Sequence, residues 1–174
     1  MKASAFAYAR AASVANALEL LAVHGDKAKV LSGGQSLMPA INFRLVSPEL
    51  IVDIGELTEL RGVAVRGDVL TIGALTRHAE LQKSPEIATH APLLADAIFH
   101  VAHPAIRNRG TIGGSLANAD PASELPACMI ALGATIIVRG PQGERRVGAQ
   151  EFFTGIYDAP GIAGRCRTAG GSER

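Results

Sequence analysis

Two short segments carry the residue types that could do chemistry. The first, "SGGQSL" at 32–37, has Ser32, the glycine pair Gly33 and Gly34, then Gln35, Ser36 and Leu37. The second, "TIGGSLAN" at 111–118, repeats the theme with Thr111, Ile112, the pair Gly113 and Gly114, Ser115, and Asn118 three residues on. Glycine opens backbone conformations closed to other residues and removes the Cβ that would hold a ligand away. Successive N–H groups in such turns can converge into an anion-binding nest. Ser36 and Ser115 would add hydroxyl donors and Gln35 an amide. A helix start after Ser36 would add partial positive charge. The chemistry is the holding of a phosphate or, with both segments together, the clamping of a dinucleotide's pyrophosphate from two sides. Either segment alone reads equally well as a tight turn in a chain with 19 glycines.

Other motifs narrow the choice. There is no GxxxxGK[ST] and no GxGxxG, so a bound dinucleotide would sit on neither a P-loop nor a Rossmann fold. Neither serine lies in a GxSxG elbow, which removes the usual hydrolase reading. His100 and His103 have helical i, i+3 spacing, but Pro104 interrupts the element and no third ligand stands out; no metal site and no catalytic side chain are assigned. Arg107 and Arg109 make a small basic spot beside Asn108, or are only solvated loop charges. Glu124 is either a favourable acid in the first turn of a helix or an acceptor for ribose or ribityl hydroxyls. Cys128 and Cys166 form no CxxC pair, which excludes a cysteine-ligated iron–sulfur cluster or a zinc knuckle held by this sequence alone.

These candidates need elements to position them. Ser13 is placed to cap a helix through about His24, with Gly25 as its stop. "AKVLS" at 28–32 reads as a strand running into the first glycine pair, and "LIVDI" at 50–54 as a second buried strand. Residues 63–73 alternate around Gly67-Asp68 as a hairpin. Thr76 is expected to cap a helix over 77–83, and Pro92 to open another over 92–102. Residues 103–123 read as a long loop holding at most a short strand, and such loops usually have a job. A helix over 124–133 and a hairpin of 134–138 with 144–149 follow. Asp158 onward, "DAPGIAGRCRTAGGSER", lacks periodicity and is expected to supply no core element.

Composition sets the frame. The 174 residues are 48% hydrophobic, enough for a core built from aliphatic side chains and Ala, since Trp is absent. A formal net charge of +1 gives no global reason to bind nucleic acid or an anionic membrane. The Ala-rich start has too short an apolar run for a convincing signal peptide, and no stretch approaches the length of a membrane span. A soluble, cytoplasmic protein is expected.

With "AKVLSGGQSLMPAINFRLVSPELIVDI" and "IRNRGTIGGSLANADPASELPACMIALGA" in this order, the chain resembles the flavoprotein (medium) subunits of molybdenum hydroxylases over residues 1–157. Carbon monoxide dehydrogenase medium subunits, and more distantly xanthine dehydrogenase flavin domains, are the members it looks like. The resemblance implies an α+β, two-lobed FAD-binding domain of the vanillyl-alcohol-oxidase (PCMH) type. The first lobe would be 1–57 and the second 58–157, with 158–174 an anomalous, disordered tail in place of the family's C-terminal domain. It implies that FAD is the cofactor. Ser32, Gly33, Gly34, Gln35, Ser36 and Leu37 would meet its pyrophosphate from one lobe, and Thr111, Ile112, Gly113, Gly114 and Ser115 from the other, with Asn118 nearby. Ala102 would lie close to the flavin. Glu124 stands where relatives often have Asp, and Ser32 where Ala is common. The implied partners are an iron–sulfur small subunit and a molybdopterin large subunit in a hetero-oligomer, with electrons passing from the clusters through FAD to an acceptor. Two alternatives stay open: a truncated, non-catalytic fragment that binds partner subunits without flavin, and a stand-alone flavin-dependent oxidoreductase. The holoenzyme's substrate and the acceptor are not encoded in these residues.

Overall fold

The computed structural model describes residues 2–158 and the backbone of residues 163–169. The chain divides into two units, Met1–Thr58 and Glu59–Arg174. In the first, strands β1 (Ala7–Arg10), β2 (Ala28–Leu31) and β3 (Leu50–Asp53) form a parallel sheet in the order β1-β3-β2. The centre strand is apolar up to its final Asp53, with Leu50, Ile51 and Val52 all buried, as expected for a strand covered on both faces. Helix α1 (Val14–His24) starts at Ser13, whose Oγ accepts the Asn16 N–H at 3.1 Å, and stops at Gly25, as the sequence predicts. Helix α2 (Leu37–Asn42) buries Ile41. Strand β1 has no sequence signal: four mostly exposed residues become a strand through pairing with β3, and the Tyr8 hydroxyl donates to Asp53 at its end.

The second unit holds a five-stranded antiparallel sheet with helices on it. The hairpin of β4 (Val63–Arg66) and β5 (Val69–Gly73) is as expected. Helices α3 (His78–Leu81), α4 (Pro85–His90), α5 (Pro92–Ala97), α6 (Pro104–Arg107), α7 (Ile112–Asn118) and α8 (Glu124–Ala131) follow. Strands β6 (Thr135–Gly140) and β7 (Gly143–Gly148) form the second hairpin, followed by helix α9 (Ala149–Phe152). Leu70 and Ile72 of the sheet meet Ile87, Leu94, Ile112, Leu116, Leu125 and Met129 of the helices in one buried cluster.

Four expectations are corrected here. Thr76 does not cap a helix; it is buried and its hydroxyl both accepts from the Gly62 N–H and donates to the Gly62 carbonyl, each at 3.0 Å, while Arg77 precedes α3. The helix opened by Pro92 is shorter than expected, because the chain turns after Ala97. Residues 103–123 are not a loop: α6 and α7 lie within them, α7 fastened at its start by bonds to Thr76 and Ala74 that local propensity cannot reveal. Within the expected tail, Ala163–Ala169 form strand β8, which lies between β5 and β6 and joins the two hairpins into one sheet, in the order β4-β5-β8-β6-β7. The remainder, 159–162 and 170–174, lies outside the described residues.

Candidate functional site

The three strands of the first unit run the same way, so their C-terminal ends share one edge, the edge at which open parallel sheets gather ligands. The first glycine segment leaves that edge from β2. Gly34 has φ +71, a left-handed conformation that L side chains rarely adopt, and a Cβ there would come 3.1 Å from Leu31 Cδ1 and 3.3 Å from Met38 Cγ. The Met38 N–H donates to the Gly34 carbonyl at 3.1 Å, the first bond of α2. Gln35 Nε2 donates to the Gly33 carbonyl at 3.0 Å, so this side chain braces its own loop. Ser36, just before α2, is exposed and makes no capping bond. The N–H groups of Gly33, Gly34, Gln35, Ser36 and Leu37 donate to no acceptor among the described residues. Ser32, half-buried, completes the segment and makes a polar contact of its own.

The second segment is built differently. Thr111 caps α7, its Oγ1 accepting the Gly114 N–H at 3.2 Å. The Ile112 N–H donates to Thr76 O at 3.1 Å, Gly113 to Ala74 O at 2.8 Å, and Ser115 to Thr111 O at 3.1 Å. All four N–H groups at the head of this helix therefore already have acceptors, and the expected second backbone nest is not formed. Gly113 is glycine for packing: a Cβ there would sit 2.5 Å from Ala74 Cβ and 2.8 Å from Ala74 O. What the segment offers outward is its side chains, with Ser115 and Asn118 both half-buried.

Two residues whose roles the sequence did not reveal, His78 and Arg107, organise this second site. His78, at the start of α3, is buried, with Nε2 3.1 Å from Ser115 Oγ. Burial pulls its imidazole below the ordinary range; the Thr111 carbonyl opposes that, the positive charge of Arg107 adds to it, and Glu124 opposes it. Glu124, half-buried in the first turn of α8, thus acts electrostatically on the ring beneath Ser115. Burial, and then Glu124, push the Cys128 thiol up. Arg107 is not a solvated loop charge. It is buried, and its Nη1 donates to Val101 O at 3.0 Å and Ala102 O at 2.9 Å, its Nε to Gln82 Oε1 at 3.2 Å. It thereby braces the turn in which Ala102, exposed, has φ +46. Arg109 is exposed. His78 had no sequence signal and Arg107 only its place beside Arg109 and Asn108, because the role of each is defined by its partners in the fold. Among the described residues no group of three His, Cys, Asp or Glu side chains is placed to hold a metal, and no helix is long and apolar enough to cross a membrane.

The fold has solved counterparts. Over 97% of this chain and 60% of the other, it superposes with a TM-score of 0.95 and 39% identity on a chain of carbon monoxide dehydrogenase from Hydrogenophaga pseudoflava, solved in a form lacking the Mo-pyranopterin moiety. Such a match defines an α+β FAD-binding domain of the vanillyl-alcohol-oxidase type. The carbon monoxide dehydrogenase medium chain of the same organism is 43% identical over 152 residues, 87% of this chain and 53% of that one. The 6-hydroxypseudooxynicotine dehydrogenase complex subunit alpha of Paenarthrobacter nicotinovorans is 49% identical over 157 residues, 90% of this chain and 53% of that one. The description "FAD binding domain in molybdopterin dehydrogenase" matches residues 4–164. The chain belongs to this family of FAD-binding domains, and FAD is the cofactor that the family identifies. It spans about half the length of the curated relatives it matches.

Proposed function

We propose that this chain holds FAD as the electron-transferring part of a molybdenum hydroxylase, passing electrons from an iron–sulfur small subunit to an acceptor, with oxidation of substrate on a molybdopterin large subunit. The observation that carries the proposal is the run of N–H groups from Gly33 to Leu37 that donate to no acceptor among the described residues, beside a left-handed Gly34. Unpaired donors at the head of a helix fit a phosphate anion. Bound FAD supplies the redox chemistry, accepting electrons from one partner and giving them to another.

The residues of this chain bind and orient. Ser32, Gly33, Gly34, Gln35, Ser36 and Leu37 receive the pyrophosphate on backbone N–H groups. Thr111, Ser115 and Asn118 contribute side chains toward it, and Ile112, Gly113 and Gly114 hold those side chains in place. Ala102, braced by Arg107, lies beside the flavin, and Glu124 accepts from ribose or ribityl hydroxyls. No side chain is assigned an acid–base role.

The purified 174-residue chain, incubated with FAD and desalted, is expected to retain flavin absorbance, and to lose it on Gly34→Val substitution. A colourless protein that still co-purifies with an iron–sulfur subunit would instead support the partner-binding fragment. A flavin-bearing protein that ignores such subunits would support the stand-alone oxidoreductase.

A further inference from the structure

The ring of His78 carries more information than its burial. At 3% exposure it lies against Gly110, where an added Cβ would come 2.9 Å from both Nδ1 and Cε1. Among the described residues, Nδ1 of His78 is a buried side-chain polar atom without a hydrogen-bond partner. A buried N–H with no acceptor is rarer and more costly than a bare acceptor nitrogen. The neutral ring, which burial favours, therefore leaves Nδ1 bare and carries its proton on Nε2. The Thr111 carbonyl acts on the ring in the sense that favours a protonated nitrogen.

That choice of tautomer determines what Ser115 can do. With Nε2–H donating across 3.1 Å, Ser115 Oγ is the acceptor, and its own hydrogen must be directed elsewhere. A helical serine would ordinarily donate back to the carbonyl four residues earlier. Here the Ser115 hydroxyl makes no such bond to Thr111 among the described residues; its hydrogen-bond partner is the His78 ring. The hydroxyl is left as an outward donor, the polarity an anion requires. With the opposite tautomer Ser115 would donate into the ring and present only lone pairs outward, which would repel a phosphate.

We propose that His78 is a positioning residue that holds the Ser115 hydroxyl as a hydrogen-bond donor to a phosphate oxygen of FAD. The inference rests on the function proposed above and adds to it a buried residue that never touches the cofactor.

A double-mutant cycle on FAD affinity in the full chain tests it, read by flavin fluorescence. Ser115→Ala and His78→Leu are each expected to weaken FAD about tenfold, the scale of one hydrogen bond to a charged group. His78→Leu is expected to add nothing in the Ser115→Ala background. His78→Gln, whose amide still donates, should restore most of the affinity. Equal, additive losses in both backgrounds would overturn the positioning role while leaving FAD binding itself intact. No FAD binding by the unaltered chain would overturn the functional reading, and this inference with it. Should His78→Leu fail to fold, the ¹⁵N signals of the His78 ring in the unaltered protein decide: a protonated Nε2 and bare Nδ1 support the proposal, and a protonated Nδ1 overturns it.

Discussion

The two glycine pairs look like copies of one motif and are put to opposite uses. At Gly33-Gly34 the backbone is left open: the N–H groups from Gly33 to Leu37 have no acceptors among the described residues, and Gly34 adopts φ +71. At Gly113-Gly114 the backbone is closed, each N–H from Ile112 to Ser115 having an acceptor within the chain. In one segment glycine serves conformation. In the other it serves proximity, letting α7 lie on Ala74. The lesson is that a GG pair reports a need for backbone freedom and does not say whether a ligand or the protein's own chain makes use of it.

Substitutions should break that comparison in a defined order. The largest effect is expected from Gly113→Ala, since a Cβ 2.5 Å from Ala74 Cβ forces backbone apart. A loss of about 3 kcal/mol in urea unfolding is expected. Gly34→Ala should cost about 1 kcal/mol for its left-handed backbone, with most of the damage falling on FAD content instead. Equal stability losses at the two sites would erase the distinction.

The next pair compares capped and uncapped helix starts. Thr111→Val removes the acceptor of the Gly114 N–H and should cost about 1 kcal/mol. Ser36→Ala removes no capping bond and should change stability by less than about 0.5 kcal/mol, its effect appearing in FAD affinity.

The smallest effect concerns pH. Burial holds the folded-state pKa of His78 below its ordinary value of 6.5, with Arg107 adding to the shift and Thr111 and Glu124 opposing it. The stability this contributes is fully present above the unfolded pKa and is lost as pH falls through the folded one. Unfolding free energy should therefore decline as pH falls below about 6.5, at no more than about 1.4 kcal/mol per pH unit. His78→Gln should lose that part of the decline; an unchanged profile would show that His78 is not the titrating group.

Much of the local structure was legible. Ser13, the helix it caps and Gly25 follow from short-range chemistry, as do the hairpin turning at Gly67-Asp68 and the apolar run of β3. The misses share one cause. Strand β1, helices α6 and α7 and strand β8 have weak or misleading local patterns and owe their state to partners far along the chain: β3, the Ala74 and Thr76 carbonyls, and the edges of two hairpins. Thr76 was misread for the same reason, its hydroxyl being committed to Gly62.

By itself, the sequence determined that two glycine-pair segments exist, that they share a serine and a leucine, and that they lie in an α+β chain of a recognisable flavoprotein kind. Residue types and spacing suffice for that, because backbone freedom and side-chain donors are local properties. Only the tertiary structure decided which segment finds acceptors for its N–H groups among the described residues, since an acceptor such as Ala74 O is supplied from nearly forty residues away. It also decided that His78 lies under Ser115 and Arg107 under Ala102. Hydrogen-bond partners are chosen by the fold, and a donor's availability can be read only after every nearby acceptor is in place.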